Sequence, residues 1–283
     1  MNKLQQKEFD LLKIFIEVCE KLGLRYYLVC GTALGAVKYG GFIPWDDDID
    51  VALCREDYKI FCEKAQPLLP QGVFLQTYET DQRYPYIFSK LRDSNTTYIE
   101  KTCKNLPMNH GVYVDIFPLD GYPESLKLQK RLERKKFFYK LLISSAYESN
   151  CSLKIRIIRK IFRMLGVHKR TSRILAKYEK LISVYSTKKS RLWCNHGNWQ
   201  GNLEYAPKEQ YGKGIIINFQ GVDVRVPEKY DEYLTQKYGD WRADLPEEQK
   251  AGHHDYEVMD LEKPYTAYTN RTKNNHVSNH FDG

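Results

Sequence analysis

The stretch Gly41-Phe42-Ile43-Pro44-Trp45-Asp46-Asp47-Asp48-Ile49-Asp50-Val51 decides how this chain is read. It places four aspartates in the five positions from 46 to 50. Carboxylates this close repel, and their pKa values rise unless a cation sits among them. From Asp48 to Leu53 acidic and apolar residues alternate, the pattern of a strand on which residues two apart share a face. Asp46, Asp48 and Asp50 are therefore expected on one side, with Ile49 and Val51 in the core. Two or three carboxylates on one face suit a hard dication. Magnesium takes oxygen ligands, commonly one or two carboxylates plus substrate phosphates, and manganese could replace it. The bland alternative is an exposed acidic turn; the preceding Pro44-Trp45 and the interleaved apolar residues argue against it.

Upstream, helical spacing of apolar residues predicts a helix over 4–22 that stops at Gly23. Leu24 to Cys30 reads as a short strand. Gly31-Thr32 follows at once and opens a helix. A glycine lets backbone approach a phosphate, a helix N-terminus offers N–H groups, and the Thr hydroxyl adds a donor. Alone this is a weak signal; beside the aspartate cluster it is a stronger one.

Downstream, Arg55 to Leu69 predicts a helix ending at Pro70, and 73–78, 84–92, 96–100 and 112–117 read as strands. The last contains Asp115 within Val112-Tyr113-Val114-Asp115-Ile116-Phe117. A mid-strand Asp among apolar residues is costly unless it binds something, so Asp115 is the natural third carboxylate of a metal site. The bland reading is a satisfied core Asp.

Residues 125–190 read as helical and basic. Between Lys127 and Arg173 there are 15 Lys or Arg and 2 acids, whereas the rest of the chain carries more acids than bases. Within that region 153–165 is amphipathic. It is either a core helix whose long bases snorkel, a helix lying on an anionic membrane surface, or a nucleic-acid contact. Short strands are expected at 191–194, 214–219 and 222–226, and a helix over 228–238 ends at Gly239. From about 264 the chain is polar and expected to be loose.

The fold class is α+β: a mixed sheet with helices, a basic helical insertion and a short mixed C-terminal part. The division expected is a catalytic core over 1–124, the helical region over 125–190, a C-terminal part completing the site over 191–263, and a tail over 264–283. The seven scattered cysteines contain no CxxC pair, which argues against a disulfide framework or a thiolate zinc site. The N-terminus has no continuous apolar h-region, and no apolar stretch has the length of a membrane span. A cytoplasmic protein, peripheral on the inner face of the membrane if 153–165 touches lipid, is the expectation.

These residues resemble a known family. The run from Gly31 to Asp50, followed by Val114-Asp115-Ile116-Phe117-Pro118-Leu119-Asp120, is similar to the LicD family, whose superfamily includes fukutin and fukutin-related protein. Tyr238-Gly239-Asp240-Trp241, Leu245-Pro246 and the pair His253-His254 are similar to its closing segment. The resemblance implies a nucleotidyltransferase-type fold with magnesium on Asp48 and Asp50. Asp46 would be a further ligand or stand behind one, and Asp115 matches a third acid by position. It also implies transfer of phosphocholine from CDP-choline, or of another phospho-alcohol such as that of CDP-ribitol. The acceptor would be a lipid-linked or polymeric cell-surface glycan, such as teichoic acid, lipopolysaccharide or capsular polysaccharide.

Phosphoryl-group transfer rests on positioning and charge neutralisation. Lys38, Lys90 and Arg92 are candidate phosphate-binding cations. A choline head would seek aromatic faces, and Trp45, Trp193, Trp199, Tyr113 and Trp241 are candidates. His253 and His254 are candidates for holding a phosphate, moving a proton or ligating metal. Two rivals remain: a nucleotidyltransferase acting on nucleic acid, against which the context of the aspartates argues, and a scaffold that kept the fold without catalysis.

Overall fold

The computed structural model describes residues 1–148, 151–197, 204–250, 252 and 255–269. Helix α1 (Lys3–Leu22) opens on a capping box, in which the Asn2 side chain accepts from the Gln5 N–H and the Gln5 side chain accepts from the Asn2 N–H. It stops at Gly23, whose φ of 66° is the left-handed conformation glycine adopts without strain. Its buried row, including Phe9, Leu12, Phe15 and Cys19, packs on the central sheet.

That sheet is built from β1 (Tyr26–Leu28), β2 (Asp50–Cys54), β3 (Val73–Gln76), β4 (Ser89–Asp93) and β6 (Val112–Tyr122), in the order β1-β2-β6-β4-β3. β2 and β6 run parallel; the other neighbours are antiparallel. Helix α2 (Cys30–Tyr39) links β1 to the aspartate stretch, and α3 (Arg55–Lys64) follows β2. β6 is buried along all 11 residues. Its first half pairs with β4; its second half pairs with β7 (Leu192–Asn195), which in turn pairs with β8 (Tyr205–Pro207). The chain after 190 therefore extends the same sheet.

Between β6 and β7 lie α4 (Leu126–Ile143), α5 (Leu153–Met164) and α6 (Thr171–Ile182). A buried fork anchors this layer. Arg55 donates from Nε and Nη2 to the two Asp120 carboxylate oxygens, each at 2.7 Å, and from Nη1 to Glu179 at 2.6 Å. One guanidinium thus joins α3, β6 and α6, in the bidentate geometry that suits Arg to a carboxylate. The C-terminal part adds α7 (Lys208–Tyr211), the hairpin β9 (Ile215–Phe219) and β10 (Val222–Val226), and α8 (Tyr230–Tyr238). β11 (Tyr256–Asp260) pairs with β5 (Thr97–Glu100), and a short α9 (Thr266–Thr269) follows.

The α+β class and most elements agree with expectation. Three differ. β2 begins at Asp50, so Asp46 and Asp48 stand on the loop before it. β4 begins at Ser89, and 84–88 is irregular because Tyr84, Tyr86 and Phe88 pack as a ring cluster instead of a ladder. β8 and β11 carry no alternation strong enough to announce them.

Candidate active site

The loop before β2 is held from three sides. Gln5 of α1 donates from Nε2 to the Asp46 carbonyl at 3.0 Å and to the Ile43 carbonyl at 3.4 Å. Gly35 of α2 lies against the same loop; a Cβ there would fall 2.5 Å from the Gly41 carbonyl oxygen. That close approach requires glycine. The Thr32 hydroxyl oxygen accepts the Asp50 backbone N–H at 2.8 Å, tying α2 to the start of β2. Thr32 is buried and does not line the cavity, so this hydroxyl clamps the backbone and is not positioned as the phosphate donor expected. Gly31 does line it, and a Cβ there would sit 3.0 Å from an Asp46 carboxylate oxygen.

These elements frame a cavity of about 550 Å³. Asp46, Asp48, Asp50, Asp115 and Glu100 all face it. Asp46, Asp47 and Asp48 each bring a carboxylate oxygen within 4.8 Å of the other two. Asp50 and Asp115 come together differently, as register partners on parallel β2 and β6. The expected strand periodicity does not operate at Asp46 and Asp48; a tight loop, with the Asp46 N–H bonded to the Ile43 carbonyl at 3.0 Å, aims them instead.

Lys90 of β4 is the register partner of Asp115 from the other side. Its Nζ is 2.9 Å from Asp115 and 3.6 Å from Glu100, and lies 3.2 Å from the centroid of Tyr113. Burial pushes the Asp115 carboxyl up to about 6; Lys90 opposes the rise, while Glu100 and Asp48 add to it.

Other expected residues are placed as follows. Arg92 is fully buried away from the cavity and serves the core: it donates to Gln76 at 2.5 Å, to the Gly111 carbonyl at 2.6 Å and to Glu100 at 3.3 Å. It shares a face with Lys90, as alternation requires, but its guanidinium is consumed by the protein. Lys38 lines the cavity, where its Nζ donates to the carbonyls of Arg242 and Ala243 at 3.0 and 2.8 Å and pairs with Asp244 at 3.1 Å. It pins the segment after α8, of which Trp241, Ala243 and Leu245 line the cavity. Trp45 and Trp241 line the cavity. Trp193 does not; its indole N–H donates to the Thr187 carbonyl. Tyr113 has its ring face covered by Lys90. Trp199, His253 and His254 lie outside the described residues.

Five contributors escaped the sequence reading. Glu100 closes the acid–base cluster from β5. Tyr86, Phe88 and Phe117 form an aromatic wall, with Tyr86 and Phe88 stacked at 5.2 Å and Phe88 and Phe117 tilted to one another at 4.6 Å. Lys237 of α8 reaches the cavity while its Nζ is 2.9 Å from buried Glu204. The one available signal was the crowding of Tyr84, Tyr86 and Phe88 just before Lys90.

The donor set is all oxygen, with carboxylates on a loop and on two adjacent strands. Such a set fits magnesium or manganese; the Cys30 thiol, which also lines the cavity beside Asp50, is kept protonated by its burial.

A family model described as LicD/FKTN/FKRP, nucleotidyltransferase domain, matches residues 23–140. The chain is 30% identical over 275 residues to the lipopolysaccharide cholinephosphotransferase LicD of Haemophilus influenzae, covering 92% of this chain and 100% of that protein. It is 45% identical over 48 residues to the human ribitol 5-phosphate transferase FKRP, covering 17% of this chain and 10% of that one. With the full length of its bacterial relative matched and the aspartate cluster at the floor of its cavity, the chain belongs to the LicD family.

Proposed function

We propose that this protein transfers phosphocholine from CDP-choline to a hydroxyl of a cell-surface glycan, in a reaction that depends on magnesium. As a member of its family it is a phosphotransferase that moves a phospho-alcohol onto a glycan. The choline head, the CDP donor and the metal are the finer reading. Its support is the single cavity in which Asp50 and Asp115, paired by register, meet the loop carboxylates and an aromatic wall.

Asp48 and Asp50 would hold the metal, with Asp46 and Asp115 as further oxygen donors. When bound, the ion neutralises the charge of the donor's diphosphate. The chain's own residues do the rest. The first turn of α2 at Gly31 presents backbone beside the phosphates. Asp115 accepts the proton of the acceptor hydroxyl, and Lys90 steadies its carboxylate. The new bond forms between the acceptor oxygen and the choline-bearing phosphorus; the bond from that phosphorus to the CMP oxygen breaks. Lys38 and the segment it holds exclude water from the mouth.

A donor screen read by mass spectrometry tests this, with CDP-choline, CDP-ribitol, or CTP plus RNA, and with magnesium present or chelated. The expected product is a phosphocholine-bearing glycan formed only with magnesium. Label entering RNA, or equal transfer after chelation, would refute the reading.

A further inference from the structure

The helical region carries a feature that the cavity does not use. α5 buries none of its residues. Leu153, Ile157, Ile161 and Met164 recur at helical spacing and are all exposed, Met164 by 80%. Ile158 and Leu165 stand beside this row, also exposed. Of the readings open for this stretch, a core helix with snorkelling bases does not hold for α5, because its apolar row faces outward.

The orientation is fixed by two inward-turned bases. Arg163 donates from Nε to the Ser145 carbonyl at 3.2 Å, and Arg159 donates to the Tyr147 carbonyl and lies 5.8 Å from its ring. Arg156 and Lys160 flank the apolar row on the exposed side.

We propose that α5 lies on a bilayer bearing anionic headgroups, its apolar row entering the headgroup boundary. Two features together select that occupant. The 15 bases and 2 acids between Lys127 and Arg173 make a second copy of this chain a poor partner, since two such faces repel. A nucleic acid would use the bases and leave the apolar row in water. An anionic bilayer accepts both. The docked helix is close to the cavity: the Tyr147 ring that Arg159 covers is 5.8 Å from Tyr86, which lines the cavity wall.

The test is co-sedimentation of the full chain with vesicles of phosphatidylcholine alone, or of phosphatidylcholine with phosphatidylglycerol, without any donor or acceptor. The wild type is expected to sediment with the anionic vesicles only, and to be released by salt. The pair Ile157→Asp with Ile161→Asp, on exposed positions, is expected to abolish sedimentation without changing the melting temperature. The triple change Lys154→Gln, Arg156→Gln and Lys160→Gln weakens partition by on the order of a hundredfold. Three results would overturn the proposal: no vesicle binding by the wild type, equal binding by the variants, or a solution dimer that Ile157→Asp dissolves in the absence of lipid binding. Because no turnover is measured, the outcome is independent of the reaction proposed above.

Discussion

Asp50 of β2 and Asp115 of β6 are cross-strand partners in a parallel ladder, and Lys90 of β4 partners Asp115 on its other side. Neighbouring strands lie about 4.8 Å apart, so acid, acid and base form a row across the sheet. A slip of one residue in either pairing would turn its members to opposite faces. The row lies in the same cavity as Asp46, Asp48, Glu100 and Asp240, and the six carboxylates among its described lining residues outnumber the three ammoniums of Lys38, Lys90 and Lys237, an excess of negative charge for a dication to offset.

Magnesium is therefore expected to raise the melting temperature of the wild-type protein at neutral pH by mass action. The gain should shrink in Asp48→Asn and Asp50→Asn, and transfer by either variant should fall by about a hundredfold or more. Thermal unfolding with and without chelator, beside a transfer assay, reads both quantities. An equal magnesium gain in wild type and variants would remove these two residues from the metal site.

Arg92 separates a structural cation from a substrate-binding one. Its three donor contacts satisfy buried groups on Gln76, Gly111 and Glu100. Arg92→Met removes all three donors at once and is expected to cost about 3–5 kcal/mol of stability. Folded protein recovered at low temperature should keep an unchanged KM for the donor. A raised KM with an unaltered unfolding curve would restore the phosphate-binding role that its spacing from Lys90 suggested.

That contrast shows what the sequence could and could not convey. Alternation on a strand reports which face a residue takes, and Lys90 and Arg92 do share one. It does not report depth or partners, which depend on β5 and on the Gln76 end of β3, both distant in sequence. The aspartate loop shows the reverse. Its acids converge on the cavity as the motif implied, yet a turn aims Asp46 and Asp48 where a strand was expected. The Tyr86–Phe88–Phe117 wall was hidden because aromatic residues in an apolar segment read equally well as core. The outward row of α5 was visible as periodicity, but only its exposure decides between core and interface.

His196 gives the fold a dependence on pH. It follows β7, is fully buried, and its Nδ1 lies 3.4 Å from the Cys194 sulfur. Burial holds its pKa well below the ordinary 6.5, and the nearby Lys136, Arg55 and Lys140 push it further down. The folded state therefore keeps a neutral ring where the unfolded chain takes up a proton. Stability is complete above pH 6.5 and declines as pH falls toward the depressed folded-state value. His196→Gln should flatten this slope between pH 6.5 and 5 in denaturant titrations. An unchanged slope would mean that other groups, such as buried His110, carry the dependence.

Trp45 offers the sharpest separation of donors. Its indole lines the cavity and is already approached by a cation, with Lys250 Nζ 5.4 Å from its ring centroid. Trp241 is covered more closely, by Arg242 at 4.2 Å, and the faces of Tyr86 and Phe88 look toward Lys90 at 5.8 and 5.7 Å. Trp45 is thus the indole of the cavity with the looser native cation, which makes it the better candidate to receive a quaternary ammonium. A cation–π contact is worth about 0.5–2 kcal/mol, so Trp45→Ala should raise KM for CDP-choline by roughly 2- to 30-fold. Trp45→Phe should recover part of that affinity, since its ring keeps a weaker negative face. CDP-ribitol, whose alcohol head is uncharged, has no ammonium to lose, and its KM should move little in either variant. Paired KM measurements on the two donors decide the matter: a parallel rise for both would show that Trp45 shapes the cavity without recognising the choline head.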